Sequence, residues 1–121
     1  MPKHEVAPVE DHNEVRLIGR IPAAAEERLL PSGDVLCTFR VAVTRDLAQD
    51  GAHGSGRQRV DSLECVTWSG RVRRSAMSWE VGDVVEVAGA LRRRFFRTAA
   101  GTGSRVEVDV RSGRRLRRAG A

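Results

Sequence analysis

The stretch V-D-S-L-E-C-V-T-W, Val60 to Trp68, decides how the chain is read. Val60, Leu63, Cys65, Val66, Thr67 and Trp68 are β-branched, aromatic or small apolar residues, the side chains that suit a pleated, half-buried surface. Successive side chains on a strand point to opposite faces. Asp61, Leu63, Cys65 and Thr67 therefore share one face, and Val60, Ser62, Glu64, Val66 and Trp68 share the other. Leu63 and Cys65 suit a core. Trp68 ends the mixed face, where Ser69-Gly70 stops the strand. An indole there is a candidate stacking platform; packing under a loop or at a subunit contact is the equal alternative.

On the N-terminal side the same period recurs. Val15, Leu17, Gly19 and Ile21 alternate with Arg16 and Arg20 over Asn13 to Ile21, which predicts a first strand with a bulge or bend at Gly19. Pro22 interrupts it. Pro31-Ser32-Gly33-Asp34 is a turn signal that makes a hairpin of Glu27–Leu30 and Val35–Arg45. In the longer arm Val35, Cys37, Phe39, Val41 and Val43 share the core face; Arg40 is on the other. Asp46 to Arg59 holds three glycines and little apolar content, and reads as a mobile loop. Arg57 and Arg59 at its base are placed to reach a polyanion or to stay solvated.

On the C-terminal side, Val72, Ala76 and Trp79 recur at helical spacing, which predicts a helix over Arg71 to Val81, with Gly82 as its stop and Trp79 in the core. Asp83 to Arg97 is a long strand with a bend permitted at Gly89. Its end, L-R-R-R-F-F-R (Leu91 to Arg97), interleaves rings with guanidiniums, the pattern expected where bases stack and phosphates pair. Phe95 and Phe96 face opposite sides, so at most one belongs to the core. Residues Thr98 to Gly103 make a hairpin loop, and Ser104 to Arg111 the last strand. Ser112 to Ala121 is short and basic, and reads as a disordered tail.

With 121 residues and 40% hydrophobic content, one domain with a modest core is expected. Net charge is +5 and the sequence pI about 10.8. Nearly all the positive charge is arginine, Lys3 being the only lysine. High-GC coding explains the choice of arginine but not the positive excess. Basic domains commonly meet nucleic acid, and guanidinium both grips phosphate with two donors and lies flat on bases. Cys37 and Cys65 have no metal-type spacing and read as reduced, buried thiols, and His4, His12 and His53 form no cluster, so no metal and no cofactor are expected. No catalytic set of Ser/His/Asp or paired carboxylates is visible, and no helix follows Gly101-Thr102-Gly103 to make it a nucleotide loop, so an enzyme with a small-molecule substrate is not expected. No apolar run reaches membrane-spanning length and no signal-peptide core stands near Met1, which predicts a cytoplasmic, nucleoid-associated protein with no membrane partner.

The elements together predict an all-β, five-stranded OB-fold barrel with one α-helix between strands three and four. An SH3-like barrel or a small sandwich competes on order and lengths alone. The domain limits read as a flexible arm over 1–12, the barrel over 13–111 and the basic tail over 112–121.

The chain resembles the bacterial single-stranded DNA-binding protein family over roughly Asn13 to Arg111. The residues that carry the likeness are N-E-V-R-L-I-G-R-I (Asn13 to Ile21), L-P-S-G-D-V-L-C-T-F-R-V-A-V (Leu30 to Val43), D-S-L-E-C-V-T-W (Asp61 to Trp68), V-G-D-V-V-E-V-A-G-A-L-R-R-R (Val81 to Arg94) and E-V-D-V (Glu107 to Val110). The resemblance implies an OB barrel, often a homotetramer, that binds single strands without strong sequence preference. It implies stacking roles for Trp68 and Phe96 and phosphate contacts for Arg92, Arg94 and Arg97, and Arg40, Arg57 and Arg59 join these as further cations. Ser62 stands where the family usually has another stacking aromatic, Leu47 near a third, and Glu64 adds negative charge to the expected binding face. These departures imply weaker or shorter-footprint binding.

The chain ends without the acidic tip of the family's main replication form, so it resembles a short paralogue. The expected function is single-stranded DNA binding in replication, recombination or repair, with RNA left open by the same contacts. The alternative is an OB-fold interaction or regulatory subunit of a nucleic-acid-processing complex. A homo-oligomer is expected, a tetramer ahead of a dimer, because an open strand-one edge with Leu17 and Ile18 invites pairing.

Overall fold

A computed structural model describes residues 9–46 and 59–121. The elements in chain order are β1 (Val15–Arg20), β2 (Glu26–Leu29), β3 (Val35–Thr44), β4 (Val60–Thr67), α1 (Gly70–Ser78), β5 (Val84–Thr98) and β6 (Gly101–Arg117). Five of the strands close a ring. β1 pairs with β5, β5 with β6, β6 with β4, β4 with β3, and β3 returns to β1 at Arg20↔Ala42. β2 is a short, fully exposed sixth strand on the outer edge of β3. The predicted five-stranded barrel with one helix is therefore present, and the first arm of the predicted hairpin is the annex to it. Leu30 and Gly33 close the hairpin turn by backbone hydrogen bonds, with Gly33 at φ 91°.

The alternation on β3 and β4 builds the core. Cys37, Phe39, Val41 and Cys65 are buried with Val85, Val87, Val108 and Val110 from the far side of the ring. Burying aliphatic side chains of this size contributes about 1.5–3 kcal/mol each. The Cys65 thiol is pushed up to about 12 by burial and then by the nearby Glu107 carboxylate, and burial also raises that of Cys37. Both cysteines are free thiols.

Two glycines let the ring close. A Cβ on Gly19 would overlap the Ala42 carbonyl oxygen, so the predicted bend in β1 is the point where β1 crosses onto β3. A Cβ on Gly89 would overlap the Asp109 carbonyl oxygen, beside a register shift between Ala88 and Gly89 that bends β5.

The helix starts at the Ser69 cap, whose hydroxyl accepts from the Val72 N–H at 3.3 Å, and it buries Val72 and Ala76. It ends at Ser78, earlier than predicted, because Trp79 leaves helical geometry (φ −75°, ψ 141°) and drives its indole into the barrel end. There the ring meets Phe39 edge-on, 5.5 Å between centroids, and is 5% exposed. Trp79 is thus a core plug, as its spacing predicts.

The predicted disordered tail is corrected. β6 continues past Arg111 to Arg117 and pairs with the first half of β5, from Ala88↔Ser112 to Val84↔Arg117. The charges that suggested a solvated end are held: Arg114 donates to Glu86 at 2.9 Å, which Arg16 of β1 also holds, and Arg115 reaches Asp83 at 3.4 Å. The Ala119 N–H donates to Asp83 at 2.8 Å. Backbone and guanidinium donors hold the carboxyls of Asp83 and Glu86 below the usual range.

Candidate functional site

β5 and β6 run beyond the barrel as a two-stranded arm that turns at Thr98 and Gly101. Asn13 fixes the root of the arm. Its side-chain amide donates to the Leu91 carbonyl and accepts from the Leu91 N–H, both at 2.8 Å, continuing the β1–β5 pairing by one more rung. The arginine–phenylalanine stretch begins at the next residue.

Two cavities lie on the face that this arm shares with β3 and β4. The first, about 390 Å³, is lined by Trp68, Phe95 and Leu36, with Arg28 from β2 and Arg92, Arg93 and Arg94 from β5. Glu107 is the one carboxylate there. Trp68 is 46% exposed and Phe95 67%, so both rings offer open faces. Two aromatic rings and four guanidiniums about a half-open trough can stack a base and grip the phosphates beside it.

The second cavity, about 290 Å³, lies across β3 and β4 and has a different balance. Arg40, Arg94 and Arg105 meet Glu26, Glu64 and Glu107 along its lining. Glu64 accepts from Arg40 at 2.9 Å and pairs with Arg105 at 3.5 Å. Arg94 is half-buried and lines both cavities, so it marks the passage from one to the other.

Of the sequence-predicted residues, Trp68, Arg92 and Arg94 come together in the first trough. Arg92 there also pairs loosely with Asp109, at 3.7 Å. Arg40 belongs to the second cavity, engaged by Glu64. Phe96 lines neither: it packs across the arm over Gly103, where a Cβ would lie 2.6 Å from its ring, and the Arg105 guanidinium stands 5.7 Å from its centroid. Arg97 is near the tip, opposite Thr102. Arg59 is exposed, and its carbonyl accepts from the Arg45 N–H at 2.7 Å where β3 and β4 part. Arg57 and Leu47 lie outside the described residues. Neither phenylalanine enters the core, where one was allowed.

The sequence reading missed Phe95, Arg28, Arg93 and Arg105 as site residues. The signal for Phe95 was present in the alternation, since Phe95 and Phe96 cannot share a face. No signal in the β2 sequence places Arg28 beside Trp68, because that contact depends on the fold of the β2–β3 hairpin. Among the described residues no group of His, Cys, Asp and Glu is arranged to hold a metal ion, and no helix is long and apolar enough to cross a membrane.

Comparison with known proteins agrees with this architecture. The model of the single-strand binding protein family matches residues 12–116. Single-stranded DNA-binding protein 1 of Streptococcus agalactiae is 30% identical over 89 residues, 74% of this chain and 52% of the relative. The single-stranded DNA-binding protein of Bacillus cereus is 30% identical over 84 residues, 69% of this chain and 47% of the relative. The chain thus spans about half the length of these relatives. Among solved structures, a Plasmodium falciparum SSB in complex with ssDNA superposes with a TM-score of 0.71 at 19% identity, covering 92% of this chain and 98% of the other. A mitochondrial single-stranded DNA binding protein from S. cerevisiae superposes at 0.65 and 14% identity, covering 90% and 99%. At these identities the two structures speak for the fold, which is that of the OB-type single-strand binders.

Proposed function

The chain belongs to the single-strand binding protein family, and from that premise we propose that it binds single-stranded DNA with little sequence preference, in replication, recombination or repair. The observation that carries the reading is the trough that Trp68 and Phe95 line together with Arg28, Arg92, Arg93 and Arg94. Bases stack on the two rings, each contributing about 1–3 kcal/mol. Phosphates pair with the guanidiniums, releasing counterions and making affinity fall with salt. Phe96 and Arg97 extend the track along the arm, and Arg57 and Arg59 add charge from the β3–β4 connection. The mechanism is binding, and no bond is made or broken.

Self-association belongs to the same reading, with a tetramer ahead of a dimer and the cytoplasm as the setting. β1 pairs along its length with β5 but with β3 only at Arg20, and Ile18 is 44% exposed on it. A second copy has both an edge and an apolar contact to use.

The test is a titration of intrinsic tryptophan emission with oligo-dT. Trp79 is in the core, so a change on binding reports Trp68. Quenching that is lost as salt rises supports the reading. Unchanged emission together with no retention of labelled oligo-dT at low salt refutes it.

A further inference from the structure

The two cavities differ in charge balance, and one side chain, Glu64, holds two of the arginines of the second. Among the described residues that line the first there are four arginines and one carboxylate, Glu107. In the second, three arginines face three carboxylates. Glu64 stands at the centre of that balance. It is on β4, on the face that ends at Trp68, and directly opposite Arg40 on β3. One carboxylate oxygen takes the Arg40 guanidinium at 2.9 Å and the other faces Arg105 at 3.5 Å. Arg40 and Arg105 come from strands far apart in sequence, and both side chains are half-exposed, at 53% and 50%. They are therefore within reach of a polyanion, yet each already has an anion beside it.

Resting on the proposed single-strand binding, we infer that Glu64 ends the DNA track on the β3–β4 side: it occupies Arg40 and Arg105 as a phosphate would and keeps the strand on the Trp68–Phe95 trough and the arm beyond it. A phosphate entering the second cavity has to displace a covalently tethered carboxylate from both guanidiniums, and it then lies within about 5 Å of an uncompensated negative charge. Even at the dielectric constant of bulk water, like charges at that distance repel enough to lower affinity about fourfold. The strand gains nothing by crossing β3 and β4, so the footprint stays short. Arg94, which lines both cavities, is the last cation that the strand meets on the side of β3 and β4. Arg105 is left to lie beside the Phe96 ring, 5.7 Å from its centroid.

The opposite role for Glu64 is to hold the two guanidiniums in a binding-ready position, and the two roles predict opposite signs. The experiment measures binding of labelled oligo-dT of several lengths to the wild-type chain and to Glu64→Gln, with Arg40→Ala made in each background. The amide keeps the size of the side chain but cannot neutralise two guanidiniums. Glu64→Gln is expected to bind about five- to tenfold more tightly at low salt, to occlude a longer stretch, and to steepen the salt slope by about 1.4, the value for two further phosphates on a single strand. Arg40→Ala is expected to change little in the wild-type chain and to remove part of the gain in Glu64→Gln. Glu64→Gln binding no more tightly than wild type, with the same site size, overturns the inference and leaves the single-strand reading standing. Weaker binding by Glu64→Gln that folds like wild type by circular dichroism overturns it in favour of the positioning role. Failure of the wild-type chain to bind at any length takes down the single-strand reading itself.

Discussion

Arg94→Ala changes the salt dependence of binding by an amount that follows from the trough. Four guanidiniums line it: Arg28, Arg92, Arg93 and Arg94. Each phosphate neutralised on a single strand contributes about 0.7 to the slope of log affinity against log salt, so four give about 2.8. Raising salt from about 50 to about 200 mM then weakens wild-type binding about 50-fold. Without Arg94 the slope falls to about 2.1, and the same change costs about 18-fold. The Arg92–Asp109 pair at 3.7 Å makes four an upper count, but the difference between the two proteins does not depend on that count. Arg94 is the appropriate site because it lines both cavities and, among the described residues, has no carboxylate in ion-pair range. The assay is fluorescence anisotropy of a short labelled oligo-dT, of about eight nucleotides so that one domain fills it, at five or more salt concentrations. An Arg94→Ala slope equal to the wild-type slope refutes the reasoning, whatever happens to the affinity at one salt concentration.

Two further predictions concern the frame that holds the site. Gly89→Ala forces β5 away from the Asp109 carbonyl; losing one or two ladder hydrogen bonds and loosening the packing of Val87 and Val110 lowers stability by about 2–4 kcal/mol, whereas Gly70→Ala, which meets only arginine side-chain tips at 3.5 Å or more, raises it by about 0.4–1 kcal/mol. Urea unfolding followed at Trp79 checks both, and equal midpoints for the two variants contradict the close approach at Gly89. Acid provides the other test. The carboxyls of Asp61, Asp83 and Glu86 are held below their ordinary values of 3.8, 3.8 and 4.5 by arginine and backbone donors. A depressed folded value means that their contribution is complete above the unfolded value and is lost as pH falls through it toward the folded one. The thermal midpoint is therefore expected to hold from neutrality to about pH 5 and to drop below about pH 4.5, with a shallower drop in Asp83→Asn. An acid limb identical in that variant contradicts the role given to Asp83.

Much of the barrel was legible because its strands obey a period of two over long runs. Cys37, Phe39 and Val41 on β3, and Cys65 on β4, point inward as their parity requires. The spacing of Val72, Ala76 and Trp79 located the helix, though not its Ser69 cap, and Gly33 located the hairpin turn. The C-terminal half of β6 was not legible, because its side chains carry charge and its strand character comes from β5, more than twenty residues away in the chain. The site was legible in part for the same reason. Trp68 and the arginine stretch stand out in composition, but alternation says only that Phe95 and Phe96 face opposite sides, and which of them lines the trough with Trp68 is set by the fold. The second partner of Glu64 likewise needs β6 to bring Arg105 to it, a contact across 41 positions of sequence that no local pattern records.

The central claim is that DNA lies in the Trp68–Phe95 trough. Photocrosslinking of an oligonucleotide carrying 5-iododeoxyuridine, followed by mass spectrometry of the adducts, tests it most directly. The account predicts adducts on Trp68 and Phe95, competed away by unlabelled oligo-dT and lost at high salt. Specific, competable adducts confined to the opposite sheet face, around Ile18 and Arg114, would contradict it.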